Sequence, residues 1–192
     1  MKDDDLKWKL LKSEHVIHDQ WIDFRRETYE FPNGSIFGPY YNYSRKSYAV
    51  VIAETAEKKY LCVRQYRHGI KEITTEFPAG GIETEGTVDD DIALHAARRE
   101  LQEETGYASD DWTHLIDIPN DATMGDNYAY VFFATNCHQI SEQKLDDTEF
   151  VQRIQLTEAE IDERISKGEF QQAIHVMAWL LLKEKRRNRS CQ

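Results

Sequence analysis

The stretch EFPAGGIETEGTVDDDIALHAARRELQEETGY, Glu76 to Tyr107, holds the residues whose types and spacing suit chemistry. Its second half sets Arg99, Glu100, Glu103 and Glu104 in a helical pattern that stops at Gly106. At about 100° per residue, Ala93, Ala97 and Leu101 share one side, and Glu100 and Glu104 fall within or beside that arc. Glu103 and Arg99 sit at its edge, while His95, Arg98 and Gln102 occupy the opposite side. The pattern thus aims two or three carboxylates toward the side that also buries apolar surface. Gathering carboxylates away from water is costly unless something cancels their charge. The plain alternative is a solvated acidic face with Arg99 as a helix ion pair, but other residues already fill the solvated side. A hard divalent cation is the natural partner. Mg²⁺ takes few protein oxygens and keeps its other positions for water and phosphate oxygens.

Neighbouring elements must position that helix. Thr87, ahead of Val88 and the acids Asp89, Asp90 and Asp91, is the expected N-terminal cap, because oxygens and negative charge satisfy the first amides of a helix. Gly106 is the expected stop, since glycine takes the left-handed conformation without strain. Upstream, Glu72 to Phe77 reads as a strand, and Pro78-Ala79-Gly80-Gly81 as a loop that lets backbone approach a ligand closely.

RELQEETGY, preceded by EFPAGG, resembles the Nudix box of the Nudix hydrolases, whose core reads R-E-apolar-x-E-E-x-G-apolar. Arg99, Glu100, Leu101, Glu103, Glu104, Gly106 and Tyr107 fill all seven specified positions. The front half departs from the pattern. Asp91 stands where the family has glutamate, Glu85 stands where it has glycine, and the PAGG glycines lie further upstream, as in a lengthened loop. The resemblance implies an α+β fold: a Nudix α/β/α sandwich with a mixed sheet. It implies a divalent cation, Mg²⁺ with Mn²⁺ as alternative, held by Glu100, Glu103, Glu104 and the carbonyl of Ala79 or a neighbouring glycine. Arg99 is implied to orient the glutamates by pairing with Glu76 or Glu103.

The chain's 192 residues suit one domain with a small appended element, here a β segment over 1–45 ahead of a hydrolase domain over 46–192. A formal charge of −11 argues against nonspecific nucleic-acid binding, which needs a basic footprint. The basic run Lys183 to Arg189 is expected to end the last helix. With no long apolar run, and with MKDDDLKWK unlike a signal peptide, a cytoplasmic protein without membrane association is expected. Cys62, Cys137 and Cys191 match neither a disulfide framework nor a zinc site. Cys62 reads as a core residue, and no histidines are read as a metal pair.

Trp21 to Phe31 and Ser35 to Tyr43 read as a hairpin about Pro32-Asn33-Gly34, following a polar lead. This hairpin resembles the extra β segment of the ADP-ribose pyrophosphatase branch of the Nudix hydrolases, which implies a homodimer whose interface lines the substrate site. Trp21 and Tyr41 would there stack on a nucleobase, though packing within the hairpin accounts for each equally well. Arg64-Gln65-Tyr66-Arg67 resembles that branch's Q-x-R, which gives Arg67 a substrate phosphate or ribose. Thr123 stands where the branch shows proline.

Strands are expected over Ser47 to Ala53, Lys59 to Gln65, Trp112 to Ile118, Tyr128 to Thr135 and Glu149 to Leu156. Helices are expected from the Thr157 cap to Ser166 and over Phe170 to Lys185, the latter with Ile174, Met177, Ala178 and Leu181 as its apolar face. The general base is either Glu103 or an aspartate of the 119–127 loop, Asp121 or Asp126, for which turn formation is the rival explanation. The reading is metal-dependent hydrolysis of a nucleoside diphosphate linked to X, a small-molecule substrate of ADP-ribose or nucleotide-sugar type. The alternatives are hydrolysis of another diphosphate (dinucleotide, coenzyme or nucleoside triphosphate) and a regulatory module that only binds a nucleotide.

Overall fold

The structure, a computed structural model, describes residues 2–84 and 86–190, without the side chains of Arg189 and Ser190. Glu85 and Cys191 therefore lie outside the described residues. The chain forms two compact units, Met1–Lys46 with Pro119–Tyr128, and Ser47–Ile118 with Ala129–Gln192.

In the first unit, β1 (Lys9–His18), β2 (Asp23–Glu30) and β3 (Ile36–Ser44) form an antiparallel sheet in that order. The Pro32–Gly34 turn forms as the sequence suggests, with Gly34 at φ 83°. β1 replaces the expected polar lead. Its register shifts twice against β2, after Leu10 and after His15, and each extra residue breaks the period-2 pattern by which a strand is read. The 119–127 segment is strapped onto β3: Tyr43 N–H donates to the Met124 carbonyl at 2.8 Å, and Tyr40 Oη donates to that of Thr123 at 2.9 Å.

The second unit contains β4 (Tyr48–Thr55), β5 (Tyr60–Arg67), β6 (Glu72–Glu76), β7 (Ala79–Gly81), β8 (Tyr107–Ala108), β9 (Asp111–Pro119), β10 (Tyr128–Gln139) and β11 (Gln152–Leu156). The sheet path is β11-β5-β4-β10-β8, with β6 on β5, β7 on β4 and β9 on β10. β4 and β10 run parallel, whereas β5 is antiparallel to β4, β6 and β11, so the sheet is mixed. Because strand side chains alternate faces, β4 serves two cores. Ala49, Val51 and Ala53 pack with Ala93, Ala97 and Leu101 of α1 (Asp90–Thr105). Val50 and Ile52 pack with Ile161 of α2 (Glu158–Ser166) and Ala178, Trp179 and Leu182 of α3 (Ala173–Ser190). This is the expected α/β/α sandwich.

Thr157 caps α2 through a full capping box, as read from the sequence. α1 is capped instead by Asp89, whose side chain accepts from Ile92 N–H at 2.8 Å, so Thr87 is not the cap. Both residue types suit the role, and register decides between them. The buried face of α3 also differs: His175, Ala178, Trp179 and Leu182 are buried, while Ile174, Met177 and Leu181 are half-covered. Trp179 sets that phase, with Nε1 on Asp162 at 2.8 Å and its ring edge-on to Tyr60 at 4.8 Å. The basic run belongs to α3, and Arg186 works in the interior, donating to Tyr60 Oη and to buried Glu54, each at 2.5 Å, and lying over Phe133. Cys62 is a core residue, and burial pushes its thiol far up. Among the described residues no helix is long and apolar enough to cross a membrane.

His175 gives this core a measurable pH response. It is 3% exposed, its Nδ1 accepts from Phe77 N–H at 3.0 Å, and burial lowers its pKa to about 4. A depressed histidine contributes stability that is full above its unfolded value near 6.5 and is lost as pH falls toward 4. That loss is about 3 kcal/mol at one pKa unit per 1.4 kcal/mol. Expected outcome: by urea denaturation, His175→Asn is less stable than wild type at pH 7.5, and the gap narrows as pH falls to 4.5. A constant gap would remove His175 from the acid response.

Candidate active site

α1 and β7 are joined residue by residue. The N–H of Ala79 donates to Glu104 Oε2 at 2.9 Å. Gly80 lies against Glu100: a Cβ built there would stand 2.1 Å from the carboxyl carbon. The carbonyl of Gly81 accepts from Arg99 Nη2 at 2.9 Å. Gly80-Gly81 therefore does not form a loop. Both residues lie in a strand held by β4, with Ala49 opposite Gly80 and Tyr48 opposite Gly81. The glycine serves a side chain of its own protein, since only a bare α-carbon leaves room for the Glu100 carboxylate.

Arg99 also donates to Glu100 Oε1 and Glu103 Oε2, each at 2.6 Å. It thus pairs with Glu103, one of its two expected partners, and not with Glu76. Glu76 is fully buried and is taken by Arg67, through Nε at 2.7 Å and Nη2 at 2.5 Å, with Thr74 Oγ1 as a further donor. The β5–β6 register is the reason: Val63 pairs with Glu76 and Gln65 with Thr74, which puts Arg67 on the same face as Glu76. Burial pushes the Glu76 carboxyl up, but Arg67 holds it below the usual range. Arg67, expected at the substrate, is engaged in this pair, with its side chain 37% exposed.

Burial raises Glu100 to about 7, against the pull of Arg99, and raises Glu104 to about 8, against the Ala79 N–H. Glu103 is more than a third exposed. Glu149 adds a small like-charge repulsion to both Glu100 and Glu104. The 141–151 segment is brought to α1 by one backbone bond, Lys144 N–H to the Glu103 carbonyl at 2.9 Å, and one side-chain bond, Gln143 Nε2 to the Glu104 carbonyl at 2.6 Å. Glu100 and Glu104, two buried carboxyls of raised pKa, are oxygen donors of the kind that a hard divalent cation takes.

The other expected site residues belong to the first unit. Trp21 lies in the β1–β2 turn, 72% exposed, its N–H on Asp19. Tyr41 stacks on Phe24 with ring centres 5.5 Å apart. Asp126 accepts from Ser44 Oγ and from Arg25 at 3.4 Å, whereas Asp121 closes its own turn through Thr123 N–H at 3.1 Å.

A family model described as a NUDIX domain matches residues 44–180. The chain belongs to the Nudix family. An ADP-ribose pyrophosphatase of Bacillus subtilis (strain 168) is 29% identical over 153 residues, covering 79% of this chain and 80% of that protein. A methanol dehydrogenase activator of Bacillus methanolicus is 31% identical over 151 residues, covering 78% of each. A crystal structure of an ADP compounds hydrolase superposes with a TM-score of 0.81 at 19% identity, covering 95% of this chain and 96% of that one, which confirms the fold. Within the Nudix family the chain resembles the ADP-ribose pyrophosphatase-like branch. The Nudix box core, Arg99 to Tyr107, covers the end of α1 and its Gly106 stop at φ 76°, with Glu100 and Glu104 on the buried face and His95, Arg98 and Gln102 exposed, as the helical wheel requires. Asp91, in the place of the Nudix glutamate, is an exposed residue of the helix's first turn.

Proposed function

We propose that this Nudix chain hydrolyses a nucleoside diphosphate linked to a second group X, of ADP-ribose or nucleotide-sugar type, giving nucleoside monophosphate and X-phosphate. One observation carries the reading: three successive residues of β7 each engage one charged side chain of α1, a pre-built cradle for clustered carboxylates. The Bacillus subtilis relative supports the substrate class.

In this reading Glu100, Glu103, Glu104 and the Ala79 carbonyl hold Mg²⁺, with Mn²⁺ as the alternative. A cation held there would supply charge neutralisation at the diphosphate and would lower the pKa of a water. Arg99 keeps Glu100 and Glu103 from swinging apart. Glu103 takes the proton of the attacking water, with Asp126 as the alternative base. The water oxygen bonds to one phosphorus as the bridging P–O bond breaks, and the bridging oxygen leaves with the other phosphate. The open edge of Arg67 faces a phosphate or ribose. Trp21 and Tyr41 stack on the base in a cytoplasmic homodimer.

A second reading has one observation in its favour, the relative named as an activator of methanol dehydrogenase. Here the chain binds a nucleotide-like ligand and regulates a partner. Phosphate release in a phosphatase-coupled assay separates the two, using ADP-ribose, ADP-glucose, GDP-mannose, NADH and nucleoside triphosphates, with Mg²⁺ or with EDTA. Metal-dependent turnover of ADP-ribose or a nucleotide sugar is expected. Silence across the panel, with calorimetric binding of one compound, would replace hydrolysis by the regulatory reading.

A further inference from the structure

His15, His18 and Asp23 bring three ligand atoms within 4.8 Å of one another at the turn end of the β1–β2 ribbon. No histidine pair is legible in HVIH, because residues three apart on a regular strand point to opposite faces. The bulge changes that. His15 pairs with Arg25, Ile17 with Phe24 and His18 with Asp23, leaving Val16 as the extra residue. Opposed residues share a face, so His15, His18, Asp23 and Arg25 all project from one side of the ribbon.

We infer that His15, His18 and Asp23 form a surface site for a borderline divalent transition ion of the Zn²⁺ class, which clips β1 to β2. Two imidazoles and one carboxylate are donors that Zn²⁺ accepts and Mg²⁺ does not favour. With metal–ligand bonds of about 2.0–2.1 Å, ligands on a tetrahedron's edge stand about 3.3–3.4 Å apart. The His18 Nδ1–Asp23 Oδ1 separation is already 3.4 Å, and the His15 Nδ1–Asp23 Oδ1 separation, 2.6 Å, opens by about 0.7 Å. Three protein ligands leave the fourth position to water.

The carboxylate is also oriented. Arg25 Nη1 donates to the other oxygen, Asp23 Oδ2, at 2.9 Å and to Ser44 Oγ at 2.6 Å, so Oδ1 is left facing the imidazoles. Such outer partners commonly fix ligand direction in metal sites. The Arg25 cation would oppose a second positive ion, but Glu27 at 3.3 Å and Asp126 at 3.4 Å offset it. The imidazoles are 58% and 69% exposed, so the ion reaches them without any opening of the sheet.

The test is calorimetric titration of the full chain with Zn²⁺ in excess Mg²⁺, which occupies the oxygen-donor site. Binding is expected, with His18→Ala and His15→Gln each weakening it at least tenfold. The imidazole nitrogen resonances of His15 and His18 should shift on Zn²⁺ addition. Mg²⁺-dependent hydrolysis by the two variants should match wild type, which also reports that they fold. Zn²⁺ affinity unchanged in both variants, or imidazole resonances that do not move, would leave these residues as simple exposed ion pairs and overturn the site.

Discussion

Glu104→Gln is expected to lower kcat roughly a thousandfold, the equivalent of about 4 kcal/mol of lost transition-state stabilisation, without weakening the fold. The glutamine oxygen still accepts from the Ala79 N–H, so β7 and α1 remain joined. What disappears is a buried carboxylate whose pKa burial raises to about 8. A raised carboxyl contributes stability that is full below its unfolded value and is lost as pH rises through its folded value. Metal-free wild type should therefore lose ground to the variant between pH 5 and pH 9, and Mg²⁺ should restore wild type only. Tm scans with and without Mg²⁺, beside initial rates, check this. Normal turnover by Glu104→Gln would remove the metal role from this residue.

Gly80→Ala should separate activity from stability even more sharply. The added methyl would stand 2.1 Å from the Glu100 carboxyl carbon. Something must move, and the movable part is the end of a glutamate side chain, not the backbone on either side. Stability should therefore change by about 1 kcal/mol or less, an ordinary value for a substitution that leaves the core intact. In the proposed role of Glu100 as a metal ligand, displacing its carboxylate by about an ångström is expected to cost on the order of a hundredfold in kcat. Gly80→Ala and wild type are compared by urea denaturation and by kcat at saturating metal. A large loss of stability would mean that Glu100 cannot yield, and an unchanged kcat would mean that its position is immaterial.

The helix with its glutamates was legible because amphipathic phase is a local property, and Gly106 was legible because a left-handed stop asks for glycine. The features that escaped are those set by partners distant in sequence. β1 was hidden because two bulges break its alternation, and the same bulge after His15 hid the histidine pair. The pairing of Arg67 with Glu76 is not legible in QYR, because the β5–β6 register sets it. The 141–151 segment meets α1 through Lys144 and Gln143, contacts that no local pattern announces. The phase of α3 was misread by treating its apolar residues as equivalent, whereas Trp179 has one position in which its ring packs and its N–H finds Asp162.

The ion pair of Arg186 with Glu54 has a consequence for synthesis on the ribosome. Glu54 is nearly fully buried in the finished sheet, and its guanidinium partner is translated 132 residues later. β4 likewise waits for β10 to pair with, and the core around Ile52 waits for Trp179. Until those segments emerge, β4 can pair with β5 and β7 but keeps one edge and apolar side chains uncovered, the condition in which nascent chains aggregate or engage chaperones. The second unit thus closes late, and a messenger truncated before codon 186 would yield a chain in which Glu54 keeps its local donors Lys58 and Tyr60 but lacks its long-range guanidinium.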